Sequence, residues 1–471
     1  MPLILGANSL AGGYQVKNSL RFNSGSTDYL TKSTASPTLN TKGTFSCWHK
    51  RSNLGGSQTL YSGGTNVNVQ SGTKDMRVYI GTDYLEFYQD DYNVTGNNTV
   101  RFANNLLRDV SAWYHIVVAV DTGQSTNADK VKAYINGTQL TASTVSLTES
   151  FTNIYFNTSG LYQIIGTYNY DVSVNRLDGY MSEVYFIDGQ QLTPSSFGET
   201  DEDSGIWKPK AYTGTFGTNG FYLDFEDSAN LGNDMSGNNN DFTVNNLTSI
   251  DQTTDTPTNN FCTMNPLYKW TYNLTLTEGN LSCSGTQNQW QGAIGSIGIS
   301  KGKWYYEVKF TSATNIGDFY IGFGGLDNFV LGSPAFRNAV AFYNFDGGEV
   351  NVADTSNTAV TTADYGTFAN GDIMGVALDY DNELITIYKN GSAIVTNFDY
   401  GATSYPSTIT DGKTISPVAG HYGSGSISFN FGNPPFTIAS GNADANGYGN
   451  FEYAVPSGYY ALCTKNLAQF G

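Results

Sequence analysis

Apolar side chains take every second position in one stretch of this chain. Trp304, Tyr306, Val308 and Phe310 share one face, and Tyr305, Glu307 and Lys309 share the other. That period of two marks a strand with one buried side. Further strands are expected at Phe319–Phe323, Gly371–Tyr380, Glu383–Lys389 and Ile427–Gly432. A turn at Asp381-Asn382 and a tight hairpin at Asn390-Gly391 join the middle ones. Asn-Gly accepts positive φ at both central positions, which a two-residue hairpin needs. An earlier set repeats the pattern at Thr44–Arg51, Met76–Ile80, Tyr84–Tyr88, Trp113–Asp121, Val131–Ile135, Tyr162–Ile165 and Gly179–Ile187. Asn136-Gly137, Asp178-Gly179 and Asp188-Gly189 supply its turns. No long stretch carries the 3.6-residue apolar period of a helix.

These elements predict an all-β chain: two antiparallel β-sandwich (jelly-roll) domains joined by a packed bridging segment. The expected divisions are an arm over residues 1–19, a sandwich over 20–192, a bridge over 193–265, a second sandwich over 266–435 and a tail over 436–471 that packs back on a domain. A chain of 471 residues is too long for one core. A structureless bridge of that length would be unusual, so packing is expected for it. The Gly- and Asn-rich arm is either mobile or docked on a neighbour.

Composition narrows the function classes. Net charge is −18 with no basic cluster, which argues against a general binder of nucleic acid or of anionic membranes. No apolar run reaches the ~20 residues of a membrane helix. Leu3-Ile4-Leu5 is too short for a signal peptide and has no basic start, so the expectation is synthesis in a cytoplasm without standard N-terminal export. Four scattered cysteines include no CxxC pair, which argues against zinc. Cys47 reads as a core residue, and pairing of Cys262 with Cys283 stays open.

Two segments resemble known families. "GKWYYEVKF", "FYIGFGG", "GDIMGVALDYDNELITIYKNG" and "ISPVAGHYGSGSISFNFG" follow one another as in a SPRY domain, which implies a binding module without shared catalytic residues. "FSCWHKR", "WYHIVVAVDT", "VKAYING" and "LDGYMSEVYFIDGQQL" resemble a laminin G-like, concanavalin A-type jelly roll. The whole arrangement, from "MPLILGAN" to "GYYALCTKNL", resembles virion structural proteins of marine tailed bacteriophages. That resemblance implies a virion location, an N-terminal arm contacting other virion proteins, a closed homo-oligomer such as a trimer, and host-surface glycans or proteins as ligands. The expected roles, in order, are a tail fibre or spike, a head decoration protein with a purely architectural role, and a polysaccharide depolymerase.

A depolymerase needs two carboxylates across the scissile bond. The sequence lacks the Glu-x-Asp-x-Glu strand of glucanases on this fold, and Asp224-Phe225-Glu226 has only part of it. His49, His115 and His421 are the only histidines, and none adjoins a nucleophile motif, so no catalytic residue is assigned. No cofactor is expected. Calcium is the candidate ion, with oxygens from Asp90 and Asp91, from Asp121 and Asp129, or from Asp171 and Asp178; none has a fixed ligand spacing, and each reads more readily as a turn pair. Sugars stack on aromatic rings beside orienting polar groups. The candidate ligand residues are therefore Tyr168, Tyr170 and Asp171 in the first sandwich, with the Tyr84–Tyr92 region, and Trp290, Phe329 and Tyr422 in the second, with Phe336 nearby.

Overall fold

The computed structural model describes residues 13–67, 74–93, 96–103, 107–269, 274–285, 290–313, 319–325, 339–344, 349–353, 359–362, 368–402 and 413–471. The chain divides into two compact units, one over residues 11–258 and one built on residues 259–471. Almost all regular structure is antiparallel strand. Most of the arm expected at the N-terminus lies outside the described residues.

Two eight-stranded sheets form the first unit. One runs in the order Thr138–Gln139, Val131–Ile135, Trp113–Asp121, Lys42–Arg51, Gly179–Asp188, Ser19–Phe22 and Gln252–Thr253, with Phe221–Leu223 also paired to Gly179–Asp188. The other runs Thr144–Ser146, Asn98–Ala103, Tyr84–Asp91, Lys74–Ile80, Gln58–Gly64, Tyr162–Ile165, Tyr29–Ser33 and Thr243–Asn245. Alternation decides what each face does. Phe45, Cys47, Ile116, Val118, Met181 and Phe186 from the first sheet meet Met76, Val78, Leu85, Phe87, Val100 and Ile165 from the second in one core. The intervening residues of the second sheet, among them Asp75, Arg77, Tyr79, Tyr84, Glu86, Tyr88 and Arg101, take its opposite face. Asn136 and Gly137 turn the hairpin between Ile135 and Thr138 at φ of 47° and 80°, the positive values the sequence called for.

Residues 193–258 complete this unit. Their strands Phe221–Leu223, Thr243–Asn245 and Gln252–Thr253 join its two sheets. Asp255 pins the segment, taking Lys50 Nζ at 2.7 Å on Oδ2 and Trp113 Nε1–H at 3.0 Å on Oδ1. Asp234 organises the turn before Phe242 by accepting the backbone N–H groups of Tyr222, Ser236 and Asn240.

The second unit pairs a seven-stranded sheet with an eight-stranded one. Trp304, Tyr306, Val308 and Phe310 enter its core from the Lys303–Ala313 strand. The opposite face of that strand is also covered. Tyr305 packs with Phe451, Ala461 and Cys463 of the C-terminal segment, and Tyr460–Ala461 pairs in parallel with Trp304 and Tyr305. Glu307 becomes fully buried and accepts the backbone N–H of Glu452 at 3.0 Å and of Tyr453 at 2.9 Å. Tyr305 Oη and Asn430 Nδ2 donate to the same carboxylate at 3.1 Å each. All four cysteines are buried free thiols.

Candidate functional site

The outer face of the second sheet of the first unit gathers tyrosines around two arginines. Cross-strand pairing sets this up: Arg77 lies opposite Tyr88, and Tyr79 opposite Glu86, which in turn lies opposite Arg101. The Arg77 guanidinium sits 4.7, 4.9 and 4.4 Å from the ring centres of Tyr79, Tyr88 and Tyr168, within the range of cation–π attraction. Arg101 lies 4.1 Å from the Tyr84 ring, and both Arg101 Nε and Tyr79 Oη donate to Glu86. Tyr168 and Tyr170 stack at 5.9 Å, and Tyr170 meets Tyr92 at 5.9 Å. Tyr92 is 53% exposed, so this corner presents aromatic surface to solvent.

Asp75 lies among these rings. Tyr168 Oη donates to its Oδ2 at 2.8 Å, and Asp90 stands directly across the strand pair. Burial pushes the Asp75 carboxyl up to about 6, against the opposing pull of Arg77 and the Tyr168 hydrogen bond. The site is thus an aromatic platform with a buried acid at one side, a surface suited to binding.

The sequence candidates fall in several places. Tyr168 and Tyr170 both belong to this platform, although Tyr168 is buried beneath it. The Asp171 carboxylate instead caps a turn, accepting the Ser173 N–H at 2.9 Å and its hydroxyl at 2.5 Å. The strand expected at Tyr84–Tyr88 runs on to Asp91, and its regular pleat is why Tyr84 and Tyr88 share a face. Asp90 accepts Tyr88 Oη at 3.1 Å, and Asp91 accepts the Asn93 N–H at 3.0 Å. Asp121 binds Lys42 Nζ at 3.0 Å and the Gly123 N–H at 3.0 Å, while Asp129 pairs with Lys132 at 3.2 Å. Asp178 accepts the Ser24 hydroxyl at 3.3 Å. Among the described residues, no three His, Cys, Asp or Glu side chains gather as metal ligands would.

In the second unit, Trp290 and Tyr422 come together at 5.7 Å, joined by Tyr320 and Tyr343 at 5.8 and 5.3 Å from the indole. Phe329 and Phe336 lie outside the described residues. Sequence reasoning missed Asp75, Arg77, Arg101 and Glu86. The available signal was the alternation Asp75-x-Arg77-x-Tyr79 facing Tyr84-x-Glu86-x-Tyr88.

One Ser–His pair invites a catalytic reading, and its hydrogen bonds oppose it. Ser46 Oγ lies 2.9 Å from His115 Nε2, and Trp207 Nε1–H donates to His115 Nδ1 at 3.0 Å. Indole nitrogen only donates, so the imidazole proton sits on Nε2 and points at Ser46. This histidine cannot take the serine proton, and burial holds its pKa down to about 3. Asp224 and Glu226 lie past the end of the Phe221–Leu223 strand. Glu183 sits at a bulge with φ of 51°. Its carboxylate accepts Tyr14 and Tyr185 hydroxyls on one oxygen and the Tyr222 hydroxyl on the other.

Comparison with known proteins agrees with this division. The concanavalin A-like lectin/glucanases superfamily (Laminin_G_3) matches residues 24–196, and the SPRY domain matches residues 303–434. The first unit is therefore similar to concanavalin A-like lectin domains and the second to SPRY domains, both kinds that characteristically bind ligands. The SPRY domain of human HERC1 is 14% identical, with 35% of this chain and 96% of that chain covered and a TM-score of 0.28. A heptameric SAP-like pentraxin from Limulus polyphemus is 14% identical, with 38% and 80% covered and a TM-score of 0.29. Scores this low carry no functional argument. Comparison with curated proteins gives no match.

Proposed function

We infer that this chain is a non-enzymatic structural protein of a tailed-bacteriophage particle, a fibre or spike component whose lectin-like unit binds host-surface glycans. The observation that supports binding most directly is the tyrosine platform on the outer sheet face, where Tyr92 and Tyr170 offer rings at an exposed corner. Flat aromatic rings stack on the apolar faces of sugars, and orienting hydrogen-bond groups stand beside them. The virion setting rests on the sequence resemblance over nearly the full chain. In this reading the N-terminal arm contacts the particle, and a closed homo-oligomer such as a trimer presents several copies. Weak single-site contacts then gain strength through effective concentration. A cryo-EM map of the intact particle tests the assignment. Density for this chain at the tail tip or baseplate is the expected result. Density spread over the head lattice would replace it with the architectural decoration role.

A further inference from the structure

Two buried hydrogen-bond acceptors beside the tyrosine platform have no donor. Asp75 is 1% exposed and Asn169 is 2% exposed, and the Oδ1 atom of each makes no hydrogen bond. Buried acceptors are almost always paired, so two exceptions in one place call for a reason. They are in one place because of Gly64. Gly64 lies directly opposite Asp75 in the antiparallel pair of Gln58–Gly64 with Lys74–Ile80, so a side chain there would share the Asp75 face. A Cβ built on Gly64 would stand only 2.4 Å from Asn169 Nδ2. The glycine therefore leaves the space that the Asn169 amide fills next to Asp75. Tyr168, which donates to Asp75, stacks on Tyr170 and so ties the two acceptors to the platform.

We propose that Asp75 and Asn169 form a hydroxyl-reading recess that accepts two hydrogen bonds from neighbouring hydroxyl groups of an uncharged saccharide stacked on Tyr170 and Tyr92. This deepens the glycan reading above and rests on it. The charge pattern selects the ligand class. Arg101 is committed to Glu86 and the Tyr84 ring, and Arg77 is spread over three rings. Arg77 Nε is buried without a hydrogen-bond partner, so the site holds one free donor, while Asp75, Glu86 and Asp90 around it repel a sulfate or carboxylate. A cationic ligand would meet Arg77 beside Asp75. A neutral pyranose brings donors in pairs, carries no charge, and offers an apolar ring face for the tyrosines.

The test uses the full chain in isothermal titration against cellohexaose, maltohexaose, laminarihexaose and mannohexaose, with dextran sulfate as the charged comparison. The variants are Asp75→Asn, Asn169→Ala and Tyr170→Ala. In Asp75→Asn, Tyr168 Oη still donates to the oxygen of the introduced amide. The amide NH2 then takes the place of Oδ1 and faces the ligand hydroxyl donor to donor. Wild type should bind at least one neutral hexasaccharide better than dextran sulfate. Asp75→Asn should weaken that binding about tenfold or more, the scale of a hydrogen bond to a charged group, and Asn169→Ala should weaken it severalfold. Thermal unfolding of Asp75→Asn should occur no lower than wild type, which separates lost recognition from lost folding. If Tyr170→Ala abolishes binding while both recess variants bind as wild type does, the recess is wrong and the glycan platform stands. If dextran sulfate binds more tightly, the uncharged class is wrong. If wild type binds none of these saccharides, the glycan reading and the recess fall together.

Discussion

Replacing Asp75 by Asn should stabilise the first unit at neutral pH, an unusual outcome for a buried polar residue. Its carboxyl is raised from 3.8 to about 6 by burial, and at about 1.4 kcal/mol per tenfold change in proton affinity this places the cost of its ionisation on folding at roughly 3 kcal/mol. The direction follows from linkage. The folded state holds the Asp75 proton more tightly than the unfolded chain does. That stabilising contribution is fully present below 3.8 and is lost as pH rises through about 6. Asparagine keeps an acceptor for Tyr168 and carries no charge to desolvate. Part of the gain is returned because Arg77 loses its charged neighbour, whereas relief of the repulsion from Asp90 belongs to the gain itself. A net gain of about 1–3 kcal/mol is expected at neutral pH. Urea denaturation of the full chain, read by hydrogen exchange in peptides of the Lys74–Ile80 strand, reports this unit by itself. The gap between variant and wild type should shrink as pH falls from about 6 towards 3.8. A less stable variant at neutral pH, or a gap that ignores pH across this window, would mean that the Asp75 charge is well compensated in the folded unit.

Other substitutions probe the scaffold. Lys50→Met leaves the buried Asp255 carboxylate without its ion-pair partner and should cost about 3–5 kcal/mol, measured by the same denaturation; replacing Asp255 as well should recover much of the loss. Glu307→Ala removes the acceptor of four donors and should release residues 448–463 to limited proteolysis, with a stability loss of about 3 kcal/mol or more. Gly137→Ala forces a side chain at φ of 80° and to within 2.7 Å of the Trp207 ring, so it should cost more than the ~1 kcal/mol of the turn strain alone and shift tryptophan fluorescence.

Local rules in the sequence reach a good part of this fold. Trp113–Asp121, Val131–Ile135 and Tyr162–Ile165 form strands with the bounds their apolar pattern implies, and both Asn-Gly hairpins take positive φ. Gln58–Gly64 was not legible: its sequence, Gln-Thr-Leu-Tyr-Ser-Gly-Gly, has a glycine pair where a strand pattern would place bulk. The reason is tertiary, since Asn169 occupies the space over Gly64. The recess is hidden for the same reason. Asp75 and Tyr168 are 93 residues apart, and neither spacing nor composition links them. Tyr170 and Trp290 stood out because aromatic residues in polar loops are visible singly. Asp75 did not, because a lone Asp in a strand reads as an ordinary surface charge until the burial of its neighbours is known.

Saccharide binding by the tyrosine platform of the first unit can be read with the full chain on an array of bacterial envelope glycans. Wild type should bind a defined set of glycans, and Tyr170→Ala should lose that set while Trp290→Ala in the second unit keeps it. Binding that survives Tyr170→Ala, or a wild-type chain that binds no glycan on the array, would mean that this platform is not a saccharide site.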